Sequence, residues 1–193
     1  MVPRLLIITG TSGVGKSTMA AELRSSLGFG KTAATDTVRE VLRTQHSPLE
    51  RPALHRSSFE DAGGSAEDDW RGAVDAVHDA VQAVISRALG KGIDLLMEGV
   101  HFYPNRKLID SWRESGGSAA GIVLYVADEE RHRSMIVNRE KHNGKKVDHY
   151  LGNIGRIRAI QEEMIATGSQ SGWLLIDPTK QRNLQRVVSN FLS

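Results

Sequence analysis

The chain has 193 residues, 39% of them apolar, with 25 Lys and Arg against 23 Asp and Glu and no Cys. That length and apolar content suit one sizeable core and predict a single α/β domain over residues 1–193. The lack of Cys excludes a disulfide framework, a thiolate zinc site and a cysteine nucleophile. The formal net charge of +2 is spread along the chain without a block of like charges, which favours a small anionic ligand and predicts no nucleic-acid partner.

At the amino terminus only Leu5-Leu6-Ile7-Ile8 are strongly apolar in a row, too few for a signal peptide. No run approaches the ~20 apolar residues of a membrane span, so a cytoplasmic protein with no membrane partner is expected. The same four residues read as a strand buried on both faces of a parallel sheet. After Lys16, apolar residues recur at Met19, Leu23 and Leu27 before Gly28, the pattern of an amphipathic helix with a glycine stop. Thr32–Thr35 reads as a second strand ending at Asp36, and 37–44 as a short helix. Residues 45–69, with Pro48, Pro52 and Gly63-Gly64, read as short helices and loops. Val74, Val77, Val81, Val84 and Ala88 mark a strong helix ending near Gly90. Ile93–Glu98 and Gly121–Val126 are the third and fourth strands, flanking a helix at Asn105–Glu114. Two helices follow over 129–140 and 148–167, separated by the polar segment Lys141-His142-Asn143-Gly144-Lys145-Lys146. Trp173–Ile176 is the fifth strand, and Leu184, Val187, Val188 and Phe191 belong to a closing helix. This alternation predicts a five-stranded parallel sheet with helices on both faces. With Gly10-Thr11-Ser12-Gly13-Val14-Gly15-Lys16-Ser17-Thr18 between the first strand and its helix, the expected architecture is a three-layer P-loop NTPase fold of nucleoside-monophosphate-kinase type. A substrate-binding insert is expected at about 37–70 and a lid at about 128–150.

The chemistry-bearing motif is Gly10-Thr11-Ser12-Gly13-Val14-Gly15-Lys16-Ser17-Thr18, a Gly-x-x-x-x-Gly-Lys-Ser/Thr loop between strand and helix. Glycines let the backbone curl so that amides point at phosphate oxygens, and the following helix adds its positive N-terminus. Lys16 would reach the β- and γ-phosphates, Ser17 would hold Mg²⁺ and Thr18 would touch the α-phosphate, which makes ATP and Mg²⁺ the expected cofactors. Asp177-Pro178-Thr179-Lys180 lacks the Asn-Lys-x-Asp order of a GTPase base-reading motif.

Phosphoryl transfer needs positioning and charge neutralisation, hence carboxylates at strand ends and movable arginines. Asp36 can accept the proton of an attacking hydroxyl; the alternative is an N-cap for the next helix. Glu98 closes an apolar run and can hold Mg²⁺ through water or bind substrate; otherwise it is a loop-start residue. Arg131, Arg133 and Arg139 can meet the phosphates from the lid, with Arg133 and Arg139 as catalytic clamps and Arg131 on the nucleotide. Lys141, Lys145, Lys146 and His132, His142 and His149 read as solvated lid residues. Arg39 lies one helical turn beyond Asp36, so it can bind an acceptor anion while Asp36 faces the hydroxyl. Arg43, His55, Arg56, Ser57, Ser58 and His101 can complete an oxyanion pocket, or be surface and capping residues. Two rival readings are a nucleotide or polynucleotide 5′-kinase and a non-catalytic ATP-sensing protein.

Several blocks are more specific: Thr35-Asp36-Thr37-Val38-Arg39-Glu40, Ser47-Pro48 with Leu54-His55-x-Ser57-Ser58-Phe59, Glu98-Gly99-Val100-His101, Asp128-Glu129-Glu130-Arg131-His132 and Tyr150-Leu151-x-Asn153-Ile154. In this collinear order they resemble the kinase domain of the 2-phosphoglycerate kinase family of archaea over nearly the whole chain. The resemblance implies ATP- and Mg²⁺-dependent phosphorylation of the 2-phosphoglycerate hydroxyl to give 2,3-bisphosphoglycerate. Where that family tends to show Pro-Gly after the Glu-Gly-Val-His block, this chain has Phe102-Tyr103-Pro104-Asn105. Similarity to such kinases also implies an adenine site near Asp177 and Pro178.

Overall fold

The computed structural model describes residues 2–143, 147–181 and 183–192; of the expected polar lid segment at 141–146, residues 144–146 lie outside them. Five strands, β1 (Arg4–Gly10), β2 (Lys31–Ala34), β3 (Leu95–Glu98), β4 (Ser118–Leu124) and β5 (Leu174–Ile176), form one sheet in the order β2-β3-β1-β4-β5. All four pairings are parallel. The eight α-helices among the described residues are α1 (Lys16–Leu27), α2 (Thr35–Arg43), α3 (Ala66–Gly90), α4 (Arg106–Glu114), α5 (Glu129–Asn143), α6 (Val147–Leu151), α7 (Ile154–Gln170) and α8 (Leu184–Leu192).

The alternation of β1 explains the layers. Leu5 and Ile7 enter a core with Trp70, Val77, Val81, Met97, Val123, Ile157 and Met164. Leu6 and Ile8 enter the opposite one with Val14, Leu23, Leu96, Leu124 and Val188. Strand neighbours point to opposite faces, so a run apolar at every position seals both sides of the central strand at once. The register sets Ile8 opposite Glu98 and Glu98 opposite Ala34. The strand ends that carry the loop, Glu98 and the start of α2 therefore open on one edge of the sheet, where ligands bind in open α/β folds.

Some boundaries differ from expectation. β2 ends at Ala34 rather than Thr35, because the buried Thr35 hydroxyl pairs with His101 Nδ1 at 3.0 Å and the chain turns directly into α2. α3 starts at Ala66, within the stretch expected to be loops. The Ser65 hydroxyl accepts from the Asp68 amide at 3.1 Å, and Glu67, Asp68 and Asp69 favour the positive helix end. The helix expected over 148–167 is two helices. Gly152 and Asn153 break it, with the Asn153 side-chain amide donating to His149 O at 2.8 Å. β4 spans Ser118–Leu124 rather than 121–126, since Ser118 already pairs with Arg4.

Candidate active site

β1 runs into the loop, which curls through Gly13 at φ +85° and Gly15 at φ +90°, backbone values that side-chain-bearing residues rarely adopt. A Cβ at Gly13 would also strike Ile136, so its absence lets α5 lie directly on the loop. Val14 plugs the loop into the core. α1 begins without a side-chain cap and without an acidic residue in its first turn, which leaves its first amides free for an anion. Lys16 is half-buried and its Nζ donates to Thr11 O at 2.8 Å. Burial lowers the Lys16 pKa below its usual value, opposed by the charges of Glu98 and Asp36. Ser17 Oγ donates to Glu98 Oε1 at 3.0 Å. Gly13, Gly15, Lys16, Ser17, Thr18, Met135, Asn138 and Arg139 enclose a cavity of about 420 Å³.

A second cavity, of about 330 Å³, lies beside it. Asp36 and Arg39 of α2, Ser57, Ser58 and Phe59, Glu98, and Arg139, Glu140 and Tyr150 from the far side form its walls. Ser12, Lys16 and Ser17 are also at this wall, so Ser12 faces the second cavity. Asp36 is 65% exposed at its side chain, with Oδ1 3.7 Å from His101 Nδ1. Arg39 donates from Nη1 to Arg56 O at 3.1 Å and from Nη2 to Glu40 at 3.2 Å, while its buried Nε has no partner among the described residues. His101 stands behind Asp36, wholly buried. Burial first, then the Arg39 and Lys16 charges, against the pull of Asp36, lower its pKa to about 4.

On the other wall, α5 is rooted on the loop. His132 is buried, and its Nε2 donates to Ser12 O at 2.8 Å. Burial holds its pKa below the usual histidine value despite that bond. This corrects the expectation of a solvated histidine. His149 is likewise engaged, packed on the Phe59 ring at 5.2 Å and 3.4 Å from a Glu60 oxygen.

The structure gathers Asp36, Arg39, Ser57, Ser58, Glu98 and Arg139 around one cavity. Ser12, Lys16 and Ser17 join them from the loop, whereas Arg43, His55, Arg56, Arg131 and Arg133 do not line it. Arg43 pairs with Glu40 at 2.9 Å on the exposed face of α2. His55 Nε2 bonds His46 O at 2.8 Å. Arg56 donates to Asp69 O at 2.9 Å and braces α3. Arg133 pairs with Glu129 at 2.8 Å one helical turn away, and Arg131 is exposed near the start of α5. Each of these has a local partner or a solvent-facing position that spacing alone did not reveal. The Asp177 carboxylate accepts from the Ala127 amide at 3.2 Å and from the Thr179 amide and hydroxyl at 2.9 and 2.6 Å. It therefore joins the ends of β4 and β5, and half-buried Pro178 follows it. Sequence reasoning missed Glu140, Tyr150, Met135 and Asn138; the two arms that bring them to the loop become neighbours only when α5 folds back over it.

The model of a family described as "AAA domain" matches residues 6–154. The chain is 31% identical over 185 residues to the 2-phosphoglycerate kinase of Methanocaldococcus jannaschii, covering 92% of this chain and 59% of that protein. It is 31% identical over 173 residues to the 2-phosphoglycerate kinase of Pyrococcus furiosus, covering 85% and 55%. The chain thus spans a little over half the length of these curated relatives. Among solved structures, shikimate kinase from Acinetobacter baumannii in complex with shikimate has a TM-score of 0.52 at 15% identity, over 100% of this chain and 92% of that one, a likeness of fold.

Proposed function

We propose that this chain, which belongs to the AAA-domain family over residues 6–154, transfers the γ-phosphoryl group of ATP to a hydroxyl of a small anionic metabolite, 2-phosphoglycerate or a related phosphorylated hydroxy acid. One observation carries this reading: Lys16, Ser17 and Arg139 line both the loop cavity and the acceptor cavity. A group held between two such cavities meets one ammonium, one guanidinium and one hydroxyl, the cation-rich setting that phosphoryl transfer needs. The name of the acceptor leans on the curated relatives, which are 2-phosphoglycerate kinases.

In this reading the loop amides and Lys16 hold the phosphates, and Arg39 binds the anionic group of the acceptor. Asp36 orients the hydroxyl and takes its proton as the oxygen bonds to the γ-phosphorus and the bond to the β,γ-bridging oxygen breaks, leaving ADP. The adjacent Ser17 hydroxyl and Glu98 carboxylate, 3.0 Å apart, suit Mg²⁺. Among the described residues no three His, Asp or Glu side chains gather to hold a metal alone, consistent with a cation that shares its ligands between protein, phosphates and water. Mg²⁺ when bound supplies neutralisation of phosphate charge. The segments at about 37–70 and 128–150 serve as acceptor insert and lid, and Asp177-Pro178 as the support of the adenine side. Phe59 lines the acceptor cavity but is 3% exposed, covered by His149 and Tyr150, so it has no free face on which a nucleobase could stack.

The test is a coupled assay of ADP release with phosphorylated hydroxy acids, sugars and nucleotides as acceptors. 2-Phosphoglycerate should raise turnover above the unstimulated rate, and Asp36→Asn should lower that turnover about 10²- to 10⁴-fold. If no compound stimulates and Asp36→Asn changes nothing, the reading is wrong.

A further inference from the structure

We infer that Glu140 and Tyr150 are positioning residues that fix the Arg139 guanidinium for the phosphoryl group in transit; the inference rests on the kinase reading above. Consecutive residues of a helix do not normally face each other. Here Arg139 Nε nevertheless donates to Glu140 Oε1 at 2.5 Å, and the guanidinium carbon stands 4.7 Å from the centre of the Tyr150 ring. The carboxylate sets the direction of the guanidinium and the ring sets its plane. A planar fork held at one nitrogen and one face keeps its remaining N–H groups in a fixed orientation.

The pair differs from an ordinary surface ion pair. Arg133 and Glu129, on the same helix, are 33% and 46% exposed at their side chains, whereas Glu140 is 1% exposed. A buried carboxylate is costly without a partner, and Arg139 is the partner that the described residues provide. Glu140 Oε2 and Arg139 Nη2 are both buried without a hydrogen-bond partner among those residues. An unpaired buried acceptor and donor on adjacent residues mark this pair as an exception to the usual satisfaction of buried polar groups. Arg139 lines both cavities and its side chain is 36% exposed, so the exposed part of the held guanidinium is offered to a phosphoryl oxygen. Tyr150 belongs to α6 and packs on Phe59 at 5.4 Å. The acceptor wall at 57–59 is thereby linked to the orientation of Arg139.

The experiment combines kinetics with the Nε–H resonance of Arg139 in the ¹⁵N-labelled full chain, assigned by its loss in Arg139→Lys. With ATP and 2-phosphoglycerate, Glu140→Gln and Tyr150→Leu should each lower kcat about 10- to 100-fold, as misplacement of a catalytic group does, with KM for ATP changed less than about threefold. Tyr150→Phe should recover most of what Tyr150→Leu loses, because the ring and not the hydroxyl orients the guanidinium. In an Arg139→Ala background Glu140→Gln should cost nothing further. The Nε–H signal should be distinct in the parent chain and collapse towards the other arginines in Glu140→Gln and Tyr150→Leu. The inference is overturned if both variants leave that signal in place, or if the losses of Glu140→Gln and Arg139→Ala multiply. If no acceptor is turned over by the parent chain, the kinase reading falls and the resonance alone decides whether the clamp exists.

Discussion

His101 lies wholly inside the protein, with Nδ1 3.0 Å from Thr35 Oγ1 and 3.7 Å from Asp36 Oδ1. Its Nε2 has no partner among the described residues. The Asp36 charge favours a proton on the ring, but burial outweighs it, and the pKa falls from 6.5 to about 4. At neutral pH the imidazole is therefore an uncharged support behind Asp36. It cannot serve as a second cation for the acceptor. The consequence for stability has a definite sign. Between pH 6.5 and about 4 the unfolded chain protonates this histidine while the folded chain does not, so stability falls as the pH drops through that window. The loss is on the order of 3 kcal/mol. Urea unfolding at pH 7.5 and 4.5 should show it, and His101→Asn should remove much of the difference. The buried His132 gives a residual slope of the same sign. An unchanged pH dependence in His101→Asn would show that this histidine is not the group responsible.

At the scale of elements, the placement of α5 matters more than the number of arginines on it. His132 bonded to Ser12 O, and Ile136 seated where Gly13 has no Cβ, make the first two turns of α5 part of the phosphate loop's support. Arg139 lies on the following turn, so the same helix that steadies the loop brings the guanidinium over it. His132→Ala should cost about 1–3 kcal/mol, since it leaves the half-buried Ser12 carbonyl short of a donor. It should also weaken nucleotide binding several-fold, read by denaturant midpoint and by titration with a fluorescent ATP analogue. Unaltered affinity would separate the helix root from the loop. The sequence shows why this was hard to foresee. β1, the loop and α1 announce themselves because an unbroken apolar run, a fixed glycine spacing and a four-residue repeat are local signals. The order of elements, all five strands and most helices could be read in the same way, as could Glu98 at the end of β3 and Asp36 and Arg39 just beyond β2. His132 and Ser12 are 120 residues apart, and nothing near His132 distinguishes a buried histidine from a solvated one. Glu140 sits in a charged stretch that reads as a solvated face until α5 is laid against α6 and the loop. Arg43, Arg56 and Arg133 erred the other way: each had the right charge at the right spacing and a carboxylate or carbonyl nearby that claimed it. The cap at Ser65 was legible, with Ser-x-x-Asp and an acidic first turn, but Gly63-Gly64 masked it as loop.

Across the whole molecule, the wall proposed for the acceptor must be tied to the body of the fold, because residues 57–59 belong to no helix or strand. The tie is ionic. Asp69, near the start of α3 and buried, accepts from Arg156 Nη2 of α7 at 2.5 Å and from the Ala62 amide at 2.8 Å, and lies 3.7 Å from Arg56 Nη1. Arg156 also donates from Nε to Phe59 O at 3.0 Å. One carboxylate and two guanidiniums thus fasten the segment bearing Ser57, Ser58 and Phe59 to α3 and α7, which pack in the core on that face of the sheet. Burial pushes the Asp69 carboxyl up, but the Ala62 amide and the two guanidiniums outweigh it and hold the pKa below 3.8. A carboxyl so depressed contributes stability that is present above its unfolded pKa and lost as the pH falls through the folded one. At neutral pH the contribution is whole. Asp69→Asn should therefore lower stability by about 2–4 kcal/mol at pH 7 by leaving two partly buried guanidiniums without their carboxylate. The cost should shrink in strong acid, where the native carboxyl is itself protonated. Because the loop cavity is built from the glycine loop, α1 and α5, KM for ATP should hold while KM for the acceptor rises. Denaturant unfolding at pH 7 and at successively lower pH into strong acid, with the two KM values at pH 7, checks both halves. An equal rise in both KM values would mean that the network supports the whole fold rather than the acceptor wall.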